Sequence, residues 1–265
     1  MLVTPVEYLG HQMSGIALTL PRIVGAFLVL PLMTEKTMPA LVRNSFYVSL
    51  AVLLYPLAST IRPYSAITDR SMWFMVMGKE FFIGLALGFC FGMVFWALSA
   101  AGAVVDNKIG YSFAQEMDPI SGQQTTLTSV FLMQLGVWLF MTSGAFIIFL
   151  DLLMSSYAIW PVASLLPPLK TESLAFFTGQ FSFFMTAVLM LSAPGLVVMS
   201  LADISLGLMN RYAQQLNVFA LSLPIKAWMS TWVLLLALGA MVEVVLRRLA
   251  ENRGLVHALE QVFGH

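Results

Sequence analysis

Side chains that could carry out catalysis or hold a metal ion are few in this sequence, and they lie far apart. The candidates are the single cysteine and the three histidines, Cys90, His11, His257 and His265. Metal sites and nucleophilic centres need such groups at short, defined spacings, which are missing here. Gly78-Lys79-Glu80 lacks the upstream glycine and the following hydroxyl residue of a phosphate-binding loop. We therefore predict no catalytic site, no metal and no cofactor, and we expect a protein that is not an enzyme.

The composition excludes a soluble globular protein. Of the 265 residues, 59% are hydrophobic and only 10% are charged, whereas ordinary soluble domains carry about 25% charged residues. The 13 basic and 13 acidic side chains give a net charge of zero, so there is no basic field to attract nucleic acid. The sequence therefore predicts an all-α integral membrane protein, because helices satisfy their own backbone hydrogen bonds in lipid.

Stretches without ionisable side chains predict where the helices lie, since a spanning helix needs about 20 apolar residues. Six principal hydrophobic helices are expected, over 14–33, 44–61, 81–105, 130–150, 173–202 and 227–242. Pro21 and Pro194-Gly195 predict that two of them are kinked or divided, which would give up to eight pieces. We expect one polytopic domain of helical hairpins over 1–265, and the basic residues of 243–265 favour a cytoplasmic C-terminal tail.

Three glycines form a ladder inside the most regular apolar stretch. Gly84, Gly88 and Gly92 recur every four residues, which places them on one helical stripe where another backbone can approach closely. The spacing predicts helix packing but does not identify the partner. Two explanations remain equally open, a hairpin within the chain or a contact with a different subunit.

The segment that follows this helix is long and apolar for a connection between two spans. Loops of more than about 12–15 residues without regular structure are usually functional or disordered, and this one carries large apolar side chains. An ordinary surface loop remains one interpretation; the sharper one is a folded-in plug over 106–122. Its candidate residues are Asp106, Asn107, Gly110, Tyr111, Ser112, Phe113, Met117, Asp118, Pro119 and Gly122.

Residues 203–223 have the periodicity of an amphipathic helix. Apolar side chains recur on one stripe, and a polar stripe beside it carries Asn210, Arg211, Gln214 and Asn217. A helix lying on a membrane surface would have a polar face rich in lysine and arginine. Because this face is rich in amides, lining of a wet channel or contact with a neighbouring subunit fits better.

Arg22 is the one charged residue inside the first apolar stretch. An ionisable side chain at such depth is costly, and it normally faces protein or water. Packing against a partner within the protein is the simpler explanation, and a role in gating is the alternative.

Two long runs resemble the T-subunit family of the type III secretion export apparatus. They are AGAVVDNKIGYSFAQEMDPISGQQTT (101–126) and LADISLGLMNRYAQQLNVFALSLPIK (201–226), and the shorter runs 21–33 and 82–89 are similar to the same family. The resemblance covers nearly the whole chain, and the D-N-x-x-G form at 106–110 looks more like the injectisome branch than its flagellar counterpart.

The resemblance implies one T subunit that joins several copies of the R and S subunits in a helical, pore-forming hetero-oligomer. That complex is expected in the bacterial inner membrane and partly above the bilayer plane, where it admits unfolded protein substrates and binds the U subunit. The loop 106–122 would contribute to the plug of the resting channel. From the residues alone, a secondary transporter or a channel for small solutes remains the alternative, as does a structural scaffold.

Overall fold

The computed structural model describes residues 5–33, 38–61, 70–110, 126–162, 171–212 and 218–254, and within them it contains helices and no strand. The helices are α1 (Pro5–Val29), α2 (Ala40–Ile61), α3 (Arg70–Ile109), α4 (Leu127–Thr142), α5 (Ala145–Ile159), α6 (Thr171–Tyr212) and α7 (Val218–Glu251), with a short 3-10 turn over Asn252–Gly254. The predicted all-α fold is confirmed.

Four stretches in the described helices are long and apolar enough to cross a membrane. They are Gln12–Val29, Met72–Ile109, Ala175–Tyr212 and Ala220–Glu251, and α4 with α5 would make a fifth if the two form one broken span. The apolar part of α2, Ala40–Pro56, is shorter than a span. The hydrophobic stretches thus correspond to helices, but fewer of them than the six expected are long enough to cross a bilayer.

The two prolines were expected to kink or divide their helices, and the division is wrong. Pro21 and Pro194 lie inside α1 and α6, and each helix continues past its proline. Prolines are tolerated in membrane helices because neighbouring groups satisfy the backbone atoms that the ring frees. The break that does occur lies at Ser143-Gly144 and divides the predicted helix 130–150. Gly144 has φ +78°, a backbone conformation that glycine adopts without steric cost.

The chain divides into two compact units. The first unit lies within 1–92, 144–179 and 249–265. Its core contains a cluster of aromatic rings around Phe27, whose ring centroid lies 5.2 Å from that of Phe149 and 5.4 Å from that of Phe46. Phe91 packs edge-on against Phe149 at 5.4 Å. These rings join α1, α2, α3 and α5 through apolar burial and edge-to-face contacts.

The second unit lies within 93–143 and 180–248. Here α3 and α4 approach so closely that a Cβ at Gly102 would lie 2.6 Å from the Ser129 backbone. The hydroxyls of Ser99 and Ser129 share a hydrogen bond of 2.8 Å. A smaller apolar cluster joins α3 and α6, with Val105, Ile109 and Met199 buried. Small residues therefore permit the close approach, as in other membrane helix pairs.

Candidate functional site

The glycine ladder packs against α1 of the same chain. A Cβ at Gly84 would overlap the carbonyl oxygen of Arg22, and one at Gly88 would overlap that of Ala26. Gly92 is buried further along α3. For the first two glycines the close contact is therefore with a backbone inside the chain, and the missing side chains let α1 and α3 meet directly.

At the same place α1 and α3 share a buried ion pair. Arg22 and Glu80 are both fully buried, with Arg22 Nε 2.6 Å from Glu80 Oε2. Arg22 Nη2 donates to Glu80 Oε1 at 3.0 Å and to the carbonyl of Trp160 at 2.8 Å, and Nη1 donates to Ser156 Oγ at 3.0 Å. The guanidinium is thus held by a bidentate carboxylate and by groups at the end of α5, a geometry that suits arginine.

Two further residues complete this α1–α3–α5 ionic cluster. Lys79 lies 2.8 Å from Glu80 Oε1 and donates to the carbonyls of Pro161 and Val162 at 3.3 and 2.9 Å. The Tyr157 ring lies 4.1 Å from the Arg22 guanidinium. Cations at the carbonyl end of a helix are favourable because the helix dipole is negative there. The cluster therefore fixes the end of α5 to α1 and α3.

The sequence interpretation did not identify Glu80 as the partner of Arg22. The signal was present, since Glu80 directly precedes the charge-free stretch 81–105, and an acid at the edge of one apolar helix is a natural partner for a base inside another. The two residues are 58 positions apart, and nothing in the spacing predicts that they meet.

The end of α3 and the beginning of α4, which enclose the candidate plug loop in the sequence, meet at a buried carboxylate. Asp106, near the end of α3, is fully buried. Its Oδ2 accepts the Thr128 backbone N–H at 2.8 Å and its Oδ1 accepts the Thr128 hydroxyl at 2.5 Å. Thr126 precedes α4 but makes no capping bond through its side chain, so Asp106 satisfies a free N–H in the first turn of α4. A carboxylate is favourable at that positive end of the helix.

Gly110 ends α3 on the same side. Its N–H donates to the Asp106 carbonyl at 3.2 Å, and its φ of +104° is one that favours glycine. Asn107 is exposed beside it. We call Asp106, Gly110 and Thr128 the loop base. The remaining candidate plug residues lie outside the described residues: Tyr111, Ser112, Phe113, Met117, Asp118, Pro119 and Gly122.

A second ionic group joins α3, α6 and α7. Asp203 on α6 accepts from Lys108 of α3 at 2.9 Å and also pairs with Lys226 of α7. All three side chains are partly exposed, so exchange with water weakens each pair relative to the buried cluster. The interaction links the end of α3 to α6 and to the beginning of α7.

The predicted amphipathic helix 203–223 extends over the end of α6 and the beginning of α7. Asn210 and Arg211 are exposed in the last turns of α6, and Gln214 and Asn217 lie outside the described residues. Tyr212, on the predicted apolar stripe, is 87% exposed. In this chain alone, neither stripe of the α6 part is covered.

Chemically, these groups form ion pairs and hydrogen bonds between helices. Among the described residues, no three His, Cys, Asp or Glu side chains lie close enough together to hold a metal ion. These interactions position the helices relative to one another within each unit, including the end of α3 and the beginning of α4.

Comparison with known proteins identifies similar sequences. Residues 13–252 match the family described as bacterial export proteins, family 1. The chain is 37% identical to the Yop proteins translocation protein T of Yersinia pestis over 220 residues. This aligned region covers 83% of this chain and 84% of that protein. The chain is 29% identical over 225 residues to the flagellar biosynthetic protein FliR of Bacillus subtilis (84% and 86%) and 26% identical over 264 residues to the surface presentation of antigens protein SpaR of Salmonella typhimurium (94% and 96%).

Proposed function

Because the chain belongs to family 1 of the bacterial export proteins, we propose that it is the T subunit of a type III secretion export apparatus in the bacterial inner membrane. Its similarity to a protein named for Yop translocation supports the injectisome rather than the flagellar branch. The long apolar helices support a multi-pass location. In this role the chain forms, with several R and S subunits, the entry channel for unfolded protein substrates, and it binds the U subunit.

The distribution of apolar surface supports assembly with other subunits. In an apolar window of 18 residues, 67% of the α3 residues are buried within the chain, whereas only 28% are buried in the corresponding window of α6 and only 17% in that of α7. Large exposed apolar surfaces mark contact with lipid or with other proteins. The α6 and α7 stretches therefore offer surface to R and S subunits, partly above the bilayer plane.

The loop 106–122 contributes the plug of the resting channel. The observation that supports this role is the Asp106–Thr128 pair, which joins the end of α3 to the first turn of α4 at one buried point, on either side of the segment that contains the loop. A channel wide enough for an unfolded polypeptide leaks ions unless something fills it. Tyr111, Phe113 and Met117 supply bulky apolar groups that exclude water from a constriction.

Shortening residues 110–118 to a few glycines tests the plug. The variant is expressed with the R and S subunits, and leakage of small solutes and ions is measured in cells after native gels show assembly. We expect leakage to rise and regulated export to fall, because an open pore dissipates the gradient that drives export. A second variant keeps the loop length and replaces Tyr111, Phe113 and Met117 with alanine.

The matched control is an equal shortening of 163–170, between α5 and α6. It should leave leakage unchanged, since that segment belongs to a different connection. If the correctly assembled 110–118 variant leaks no more than this control, the loop is not the plug, and the subunit has a scaffolding role instead.

A further inference from the structure

The beginning of α4 contains a second group that is suited to cap the helix, the hydroxyl of Thr126. The backbone of Thr126 is extended, with φ −78° and ψ 147°, and its carbonyl accepts the Val130 N–H at 3.1 Å. Thr126 therefore occupies the N-cap position of α4. A threonine in that position normally accepts the N–H of the second or third helical residue through its hydroxyl. The second helical residue of α4 is Thr128.

The Thr126 hydroxyl is buried but makes no such bond. The residue is 7% exposed, and among the residues that the structure describes its Oγ1 has no hydrogen-bond partner. A buried hydroxyl without a partner is unfavourable. The N–H of Thr128 is already taken, because Asp106 accepts it at 2.8 Å. Two side chains thus compete for one N–H, and in this structure Asp106 holds it.

The two acceptors differ in the helix to which they belong. Asp106 lies on α3, so its bond ties the end of α3 to α4. Thr126 is part of the same segment as α4, so a bond from its hydroxyl would cap α4 without holding α3. The other group that Asp106 binds is the hydroxyl of Thr128, a partly exposed residue, and that hydroxyl can turn to water. The choice of cap therefore decides whether α3 and α4 are joined here.

We infer that Thr126 is a reserve cap, which takes over the Thr128 N–H when Asp106 leaves it. The end of α3 can then separate from the beginning of α4 while the first turn of α4 stays intact. The two arrangements differ in one acceptor, and the carboxylate that leaves becomes hydrated, so the exchange leaves no buried group unpaired. The role of this exchange in opening rests on the proposed plug, because the loop base must release when the plug is displaced.

A double-variant cycle on the full chain in detergent tests the exchange by equilibrium unfolding. Valine has the shape of threonine without its hydroxyl. In the parent chain Thr126→Val should change the unfolding equilibrium constant by less than about twofold, because the lost hydroxyl made no bond. In Asp106→Ala the same substitution should raise that constant roughly fivefold, the factor that corresponds to loss of one capping side chain. Asp106→Ala still loses stability by itself, since Thr126 restores only one of the two bonds.

Two further threonine variants are the controls. Thr126→Ser keeps the hydroxyl and should match threonine in both backgrounds. Thr142→Val lies at the other end of α4, where the Thr142 hydroxyl donates to the Trp138 carbonyl at 2.9 Å, and its effect should be the same with and without Asp106. If Asp106→Ala does not fold, the cycle is run on Asp106→Asn, whose amide has one acceptor oxygen where the carboxylate has two.

The role in opening is measured as regulated export in cells that also express the R and S subunits. Thr126→Val should export less than Thr126→Ser, because the separated arrangement has lost its cap. Equal effects of Thr126→Val with and without Asp106 would overturn the exchange, and equal export by the two Thr126 variants would overturn its role in opening. The unfolding cycle uses the chain alone and is independent of the leakage assay on the 110–118 variant. Failure of the reserve cap therefore leaves the plug standing, and failure of the plug leaves the exchange of caps standing.

Discussion

Replacing Glu80 with glutamine tests how strongly the α1–α3–α5 ionic cluster stabilises the first unit. Glutamine is nearly the same size but carries no charge, so Glu80→Gln leaves the guanidinium of Arg22 buried without a counter-ion. Two of the four hydrogen bonds that Arg22 donates go to Glu80. Lys79, whose side chain is 11% exposed, loses the same partner.

The expected magnitude follows from this burial. Breaking a buried pair by removing one partner costs about 3–5 kcal/mol, and Arg22 and Glu80 are both completely inaccessible to water. That is a large part of the roughly 5–15 kcal/mol that typically stabilises a folded domain. The double variant Arg22→Met, Glu80→Leu should lose less, because it leaves neither member of the pair as an isolated charge.

The assay is unfolding of the full chain in detergent, followed by circular dichroism. Glu243→Gln is the matched control, because Glu243 is an exposed acid on α7, and surface substitutions usually change stability by no more than about 0.5 kcal/mol. The reasoning would be refuted if Glu80→Gln unfolded like Glu243→Gln. It would also be refuted if the double variant were less stable than Glu80→Gln alone.

Two other substitutions test the remaining contacts. Gly88→Leu should force α1 away from α3 and reduce the amount of complex with R and S subunits on native gels. Gly78→Leu on the same helix is the control and should assemble normally, since a Cβ at Gly78 meets nothing within 4 Å. Equal assembly of the two variants would contradict the close contact between α1 and α3. Asp106→Ala should lower the free energy of unfolding by about 1–2 kcal/mol, as loss of a capping side chain does. It should also raise ion leakage through the assembled complex. Unchanged leakage would mean that the loop base does not hold the plug.

Much of the fold could be predicted from the hydrophobicity of each segment, and the errors of that prediction have local causes. Pro194 predicted a kinked or divided helix, but α6 is not divided there, because a single lost hydrogen bond does not outweigh the helix on either side. The break at Gly144 could not be predicted, since an isolated glycine in an apolar run is compatible with both helix and turn. The glycine ladder predicted close helix packing, but only the structure identified α1 as the helix against which Gly84 and Gly88 pack.

The sequence by itself determined the class of protein and where its helices lie. With 10% charged residues and charge-free stretches as long as a spanning helix, the chain is suited to transmembrane helices, each of which satisfies its own backbone hydrogen bonds in lipid. The tertiary structure decided which polar groups meet: Arg22 with Glu80, Asp106 with Thr128, and Asp203 with two lysines. The physical reason is that hydrophobicity acts on each segment separately, whereas an ion pair depends on which helices pack together and on their rotation. Neither of these is encoded in the spacing of residues along one helix.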